Sequence, residues 1–169
     1  MKRAALLGAC LVLLTSQANA QWRPDGAVSA YVQVEAENNS RGLGGGVLID
    51  VWQPFGAFQL GFSAGAGAIT SDNDDANRIF APVAATVGVG FKPQPVGLRA
   101  IARGGFWAGA TNEGLRGGGF LAGGVAMDIR MDDTLSLGIS FEGWRLWGEL
   151  RRFLLVPALS LVWRLGGDP

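Results

Sequence analysis

Residues 57–69 read AFQLGFSAGAGAI, and a period of two sorts them almost without exception. Phe58, Leu60, Phe62, Ala64, Ala66 and Ala68 fall on one face, and Gln59, Gly61, Ser63, Gly65 and Gly67 on the other. Such alternation marks a strand with two unlike faces, because successive side chains of an extended chain point to opposite sides. A sheet in bulk water would load its polar face with Lys, Glu and Thr, yet this one carries glycine and small uncharged groups. Beyond Arg3 the chain holds a single lysine, Lys92. The pattern suits a barrel whose apolar face meets lipid and whose polar face lines a narrow interior.

The same alternation recurs on both sides of this stretch. Strands are expected near 27–37, 43–52, 79–91, 96–109, 118–131, 134–146 and 153–165. The connections at 53–56, 92–95 and 132–133 read as short turns, whereas 38–42, 70–78, 110–117 and 147–152 read as mostly longer loops. Eight strands with alternating short and long ends predict an all-β, eight-stranded antiparallel up-and-down transmembrane β-barrel, with both chain ends on the turn side. Ten residues tilted near 45° cover roughly 23 Å, close to the apolar band of about 25 Å such a membrane requires. Outward aromatics sit near both strand ends, Phe58, Phe91 and Trp163 at the turn end and Phe106, Trp147 and Phe153 at the loop end, as two girdles would.

Ahead of the strands, Lys2 and Arg3 precede an apolar run to Leu14, and Ala18-Asn19-Ala20 supplies a small-x-small cleavage pattern. Residues 1–20 therefore read as a secretory signal peptide, too short to span a membrane as a helix, and residues 21–169 as a single barrel domain. Cleavage would remove the only cysteine and two basic residues, leaving 12 basic against 14 acidic side chains and no His. That balance gives no reason to expect a nucleic-acid partner.

The signal peptide, the eight strands of about ten residues and the closing Leu159, Leu161, Trp163 and Leu165 at spacing two resemble the small outer-membrane β-barrel proteins of Gram-negative bacteria. The resemblance covers the whole mature chain and singles out no subfamily. It implies a place in the bacterial outer membrane, with outer-membrane lipid and the barrel-assembly machinery as partners. Such barrels usually finish on an aromatic residue, whereas here Trp163 is followed by RLGGDP.

Enzymatic readings mostly fail on inventory. Without His or a mature Cys, no Ser–His or Cys–His pair can form, so no catalytic residue and no cofactor is expected. The glycines of 42–46 are followed by no helix, which argues against a phosphate-cradling loop. The acidic loop 72–77 lacks the glycine and the glutamate of a calcium loop, so no metal site is assigned. Pro82 and Pro157 fall inside strands, where a bulge or a shortened strand is expected.

Inward positions hold Glu35, Asp50, Asp128 and Glu142 against Arg99, Arg103, Arg130 and Arg164, four of each sign. Isolated charges in a low-dielectric interior are costly unless paired, so a lumen charge network is expected, with two carboxylates within reach of Arg103. The functional expectation is a non-catalytic, charge-plugged barrel with an envelope-structural or surface-interaction role, its external loops free to meet a surface ligand. Two alternatives stay open: a small pore or carrier for small or hydrophobic solutes, and a soluble secreted barrel with an apolar ligand inside.

Overall fold

The computed structural model describes residues 24–35, 42–71, 78–91, 95–111, 114–148 and 152–164. The expected signal peptide, the acidic loop 72–77 and Lys92 lie outside them. Eight strands, β1 (Asp25–Glu35), β2 (Gly42–Phe55), β3 (Phe58–Ser71), β4 (Arg78–Phe91), β5 (Val96–Thr111), β6 (Gly114–Arg130), β7 (Leu135–Gly148) and β8 (Arg152–Arg164), form one closed barrel. Every neighbour is antiparallel, and β8 pairs with β1.

The registers define the barrel's shape. The row that starts at Asp25 crosses Trp52, Gly61, Thr86, Arg103, Ala122, Trp144 and Leu154 and returns to β1 at Glu35. One circuit thus climbs from residue 25 to residue 35 of the same strand. With 3.3 Å per residue and strands about 4.8 Å apart, that stagger corresponds to a tilt of about 40° and a backbone radius of about 8 Å. A cylinder of that radius has an interior that side chains can fill.

Which face points in follows from the alternation. Val47, Ile49, Phe62, Val83, Leu98, Phe106, Val125, Phe141 and Leu159 are exposed on the outer wall, while Gln33, Asp50, Ser63, Arg103 and Glu142 are buried inside. A soluble barrel with an apolar ligand inside would need the reverse. From Trp163 to Phe153 on β8 is ten residues, or about 25 Å along the barrel axis at this tilt, the height of a lipid-facing band.

Three expectations about connections are corrected. First, the connection between β5 and β6 is shorter than read. Ala110 pairs with Leu115 and Thr111 with Gly114, so β5 and β6 absorb most of the stretch 110–117, leaving only 112–113 between them. Gly114 at φ 126° supplies the backbone shape this needs. Second, β6 and β7 are joined by the four residues 131–134 and not by a two-residue turn. There the Asp132 carboxylate accepts the N–H of Thr134 (2.7 Å), its hydroxyl (2.9 Å) and the N–H of Leu135 (2.7 Å). Third, the prolines cause neither a bulge nor a shortened strand. Pro82 keeps register with Trp107, and Pro157 with Phe141. Pairing lapses only toward the other neighbour, between Ala64–Val83 and Gly67–Phe80 for Pro82 and between Tyr31–Ala158 and Val34–Leu155 for Pro157. A strand residue donates its N–H to one neighbour alone, so a proline interrupts one ladder and spares the other.

Candidate functional site

The barrel interior is the candidate site, and it is built in two unlike halves. At mid-height stands Arg103 of β5. Its Nε and Nη2 donate to Oε2 (2.9 Å) and Oε1 (3.0 Å) of Glu142, a bidentate fork across to β7. Nη1 pairs with Asp50 Oδ1 on the opposite wall and also meets the Ser63 hydroxyl. Ser63 in turn donates to Asp50 (2.5 Å) and lies 2.6 Å from the Thr86 hydroxyl, while the Trp144 indole N–H donates to Glu142 (3.0 Å). One guanidinium thus ties β2, β3 and β7 to β5.

Below it, toward the turn end, Arg99 Nη2 donates to Asp128 (2.9 Å), and the guanidinium carbon lies 4.6 Å from the centre of the Trp52 ring. A cavity of about 30 Å³ lies between this layer and Arg103, lined by Ser29, Thr86, Ser140 and Ser160 among others. A second cavity, of about 50 Å³, lies between Asp25, Arg99, Asp128, Arg130 and Arg164. Trp52 and Arg99 line both cavities, and the buried Trp52 Nε1 and Arg99 Nε find no acceptor in the described protein. The volume of the upper cavity is enough for one or two water molecules.

Above Arg103, toward the loop end, the interior turns apolar. Tyr31, Leu48, Ile69, Phe80, Trp107, Phe120, Trp144, Leu146, Leu154 and Val156 form one buried cluster. Phe120 stacks on Trp144 with ring centres 5.3 Å apart, and Tyr31 tilts against the same indole at 5.9 Å. Glycines across the lumen make the room. A Cβ at Gly46 would lie 2.6 Å from the Tyr31 hydroxyl and 2.6 Å from Gly67 Cα. Glu35 closes the top, paired with Arg152.

Of the eight charges expected to meet inside, Arg103, Asp50 and Glu142 form one cluster, and Arg99 and Asp128 a pair. Arg130 lines the turn-end cavity but meets none of the expected lumen carboxylates: its guanidinium pairs with Asp133 (2.6 Å) and donates to the Asp132 carbonyl (3.0 Å), because it ends β6 with that turn beside it. Arg164 lines the turn-end cavity, in register with Asp25. Glu35 meets none of the four expected arginines. Its partner Arg152 falls in the charged stretch 147–152 that reads as a loop, whereas β8 begins at that residue. Sequence reading also missed that the upper interior is apolar, and it passed over Arg145, whose parity on β7 matches that of the outward Phe141 and Trp147.

The girdle aromatics lie outward on the wall. Phe58 and Phe91 are strongly exposed at the turn end, as is Phe106 toward the loops, with Trp147 less so. Trp163 and Phe153 are half-buried because their rings cover glycines of the neighbouring strand. A Cβ at Gly26 would meet the Trp163 indole at 2.9 Å, and one at Gly143 the Phe153 ring at 2.9 Å.

No family model matches the sequence, and no curated protein matches it. Solved structures do match the fold. Neisserial surface protein A aligns with 85% of this chain and 96% of its own, with a TM-score of 0.64 at 10% identity. Ail, the attachment invasion locus protein of Yersinia pestis, aligns with 85% of this chain and 99% of its own, with a TM-score of 0.60 at 14% identity. The outer membrane enzyme PagL aligns with 80% and 97%, at 0.50 and 14%. The chain has the fold of the small eight-stranded outer-membrane β-barrels. At these identities the likeness is one of fold, and PagL shows that the fold also carries enzymes.

Proposed function

We propose that this chain is a closed, non-conducting barrel of the bacterial outer membrane. Its role is structural in the envelope or lies in contacts made by its loops, without catalysis. The observation that carries the reading is the filled interior. The Arg103 cluster borders the cavity of the turn half, and above it Trp107, Phe120, Trp144 and Leu154 are packed to near-complete burial. A buried aromatic layer offers an ion no solvation, so the seal is apolar as well as ionic. The absence of His from the whole sequence supports the non-catalytic reading. Delivery by a cleaved signal peptide and handling of β8 by the barrel-assembly machinery belong to the same proposal, as does exposure of the connections 36–41, 72–77, 112–113 and 149–151 on the outer surface.

Planar-bilayer recording of the refolded protein tests it. No steady conductance is expected from the wild type, nor from Arg103→Ala, because the apolar half remains. A stable open level of nanosiemens size in the wild type would reject the reading in favour of a small pore.

A further inference from the structure

Among strand residues whose side chains are described, every outward position is uncharged except Arg145. It pairs across β7–β8 with Phe153 and across β6–β7 with Leu121, and Trp147 follows it on the same face. Phe106 and Trp147 share one row through Gly119, whose missing Cβ makes room for the Trp147 indole. The cation therefore stands at the level of the loop-end aromatics, about 20 Å along the axis from the Trp163 end.

Beneath it, toward the middle of the wall, the next outward row reads Ala102, Gly123, Gly143. A Cβ at Gly123 would have only the Ile101 carbonyl near it, at 3.9 Å, so the row is an open furrow at Ala102 and Gly123, and the Phe153 ring, 2.9 Å from a Cβ at Gly143, walls its β8 end. Leu121 stands above the furrow and Val125 and Phe141 below it, all exposed.

From this arrangement we propose that Arg145 and the Ala102–Gly123 furrow, walled by Phe153, hold one phosphate-bearing lipid of the leaflet at the loop end. The guanidinium takes a headgroup phosphate, and an acyl chain lies in the furrow. A charge on the lipid face is tolerated near the interface, where it costs little and meets anionic headgroups. Arginine suits the role because its five N–H donors can serve a phosphate alongside contacts within the protein. The furrow lies diagonally below the cation, one strand over on β6, and a chain in it gains dispersion contacts that bulky outward side chains would deny. The proposal rests on the reading of the chain as an outer-membrane barrel.

The test places the folded protein in phosphatidylcholine nanodiscs doped with lipid A or with dephosphorylated lipid A, and counts retained lipid by native mass spectrometry after release. The wild type should retain one lipid A and discriminate against the dephosphorylated form by about tenfold, the worth of one charge-assisted contact. Arg145→Gln should lose that discrimination and Arg145→Lys keep part of it, while Gly123→Leu should lower retention of both lipids. Heat-modifiable mobility on gels reports folding. If Arg145→Gln does not fold, the two lipid arms on the wild type and the Gly123→Leu variant still decide.

Equal retention of both lipids by the wild type overturns the proposal, as does displacement of lipid A by millimolar inorganic phosphate, which would make the site one for free phosphate. A protein that does not enter nanodiscs at all refutes the membrane reading itself. One that enters without preference refutes only the lipid site.

Discussion

Removing the Arg103 guanidinium is the perturbation whose cost the geometry defines best. In Arg103→Ala, Glu142 loses a two-point contact and keeps the Trp144 indole, while Asp50 keeps only the Ser63 hydroxyl. Both carboxylates stay inside, Glu142 at 3% exposure and Asp50 at 5%. Breaking a buried pair from one side costs about 3–5 kcal/mol, because the orphaned charge has neither water nor a partner. Asp50 borders the cavity that could admit a water, so the larger share of the cost falls on Glu142. The assay is reversible urea unfolding of the barrel refolded into lipid vesicles, followed by tryptophan fluorescence. Arg103→Ala should lose about 4 kcal/mol, and adding Glu142→Gln should return roughly 1–2 kcal/mol of it by removing the stranded charge. A loss under 1 kcal/mol, or a double variant less stable than Arg103→Ala, would refute the argument that these charges are desolvated and mutually dependent.

Four further outcomes follow from the same structure. Leu159→Arg, on the outer wall near mid-height, should destabilise the membrane-embedded barrel by roughly 2–4 kcal/mol in the same assay; an unchanged midpoint would mean that this face does not meet lipid. Gly46→Ala should cost about 1–3 kcal/mol, since its methyl group would press on the Tyr31 hydroxyl and on Gly67 Cα; equal stability would show that the aromatic half has slack. The N–H of Thr134, then its hydroxyl and the N–H of Leu135, hold the Asp132 carboxyl below its ordinary value. Its ordering of the turn is therefore complete above the usual carboxylate range and lost as pH falls through the lowered value; carboxyl NMR should find Asp132 titrating below the ordinary carboxylate range, and an ordinary value would discount these hydrogen bonds. In intact cells a maleimide should label Leu115→Cys at the loop end but not Asp133→Cys at the turn end, and the opposite pattern would invert the proposed orientation.

How far the sequence can be read is set by which distances it encodes. Period-two patterning assigned the faces of 57–69 and of the other strands, because a one-residue slip would expose every buried side chain at once. It also brought Glu142 and Arg103 to one height, since both lie mid-strand. What patterning lacks is the stagger with which the sheet closes. That closure decides that Asp50 reaches Arg103 from below and that Phe120, Leu146 and Leu154 stack into one layer with Trp144. Strand ends were the other weak point. Arg152 sits among charges with no alternation to assign it, and Arg130 had a turn carboxylate three residues on that outcompeted the lumen carboxylates. Arg145 was legible by parity alone, since it falls within the strand read over 134–146 on the face of Phe141.

The interruption at Pro157 has a consequence for how the cylinder is made. The seam between β8 and β1 joins the last strand to the first, so it is the contact of longest sequence separation and the one whose closure completes the sheet. Its ladder is continuous from Asp25–Arg164 up to Tyr31–Ala158, lapses beside the fully buried Gln33, and resumes at Val34–Leu155 and Glu35–Leu154. In mechanical terms the seam is a zipper with a missing tooth two-thirds of the way up. The short segment above holds the pairs Val34–Leu155 and Glu35–Leu154, with the Glu35–Arg152 ion pair beside them. The loop-side end of that seam is thus where the finished wall parts at a small sacrifice of hydrogen bonds.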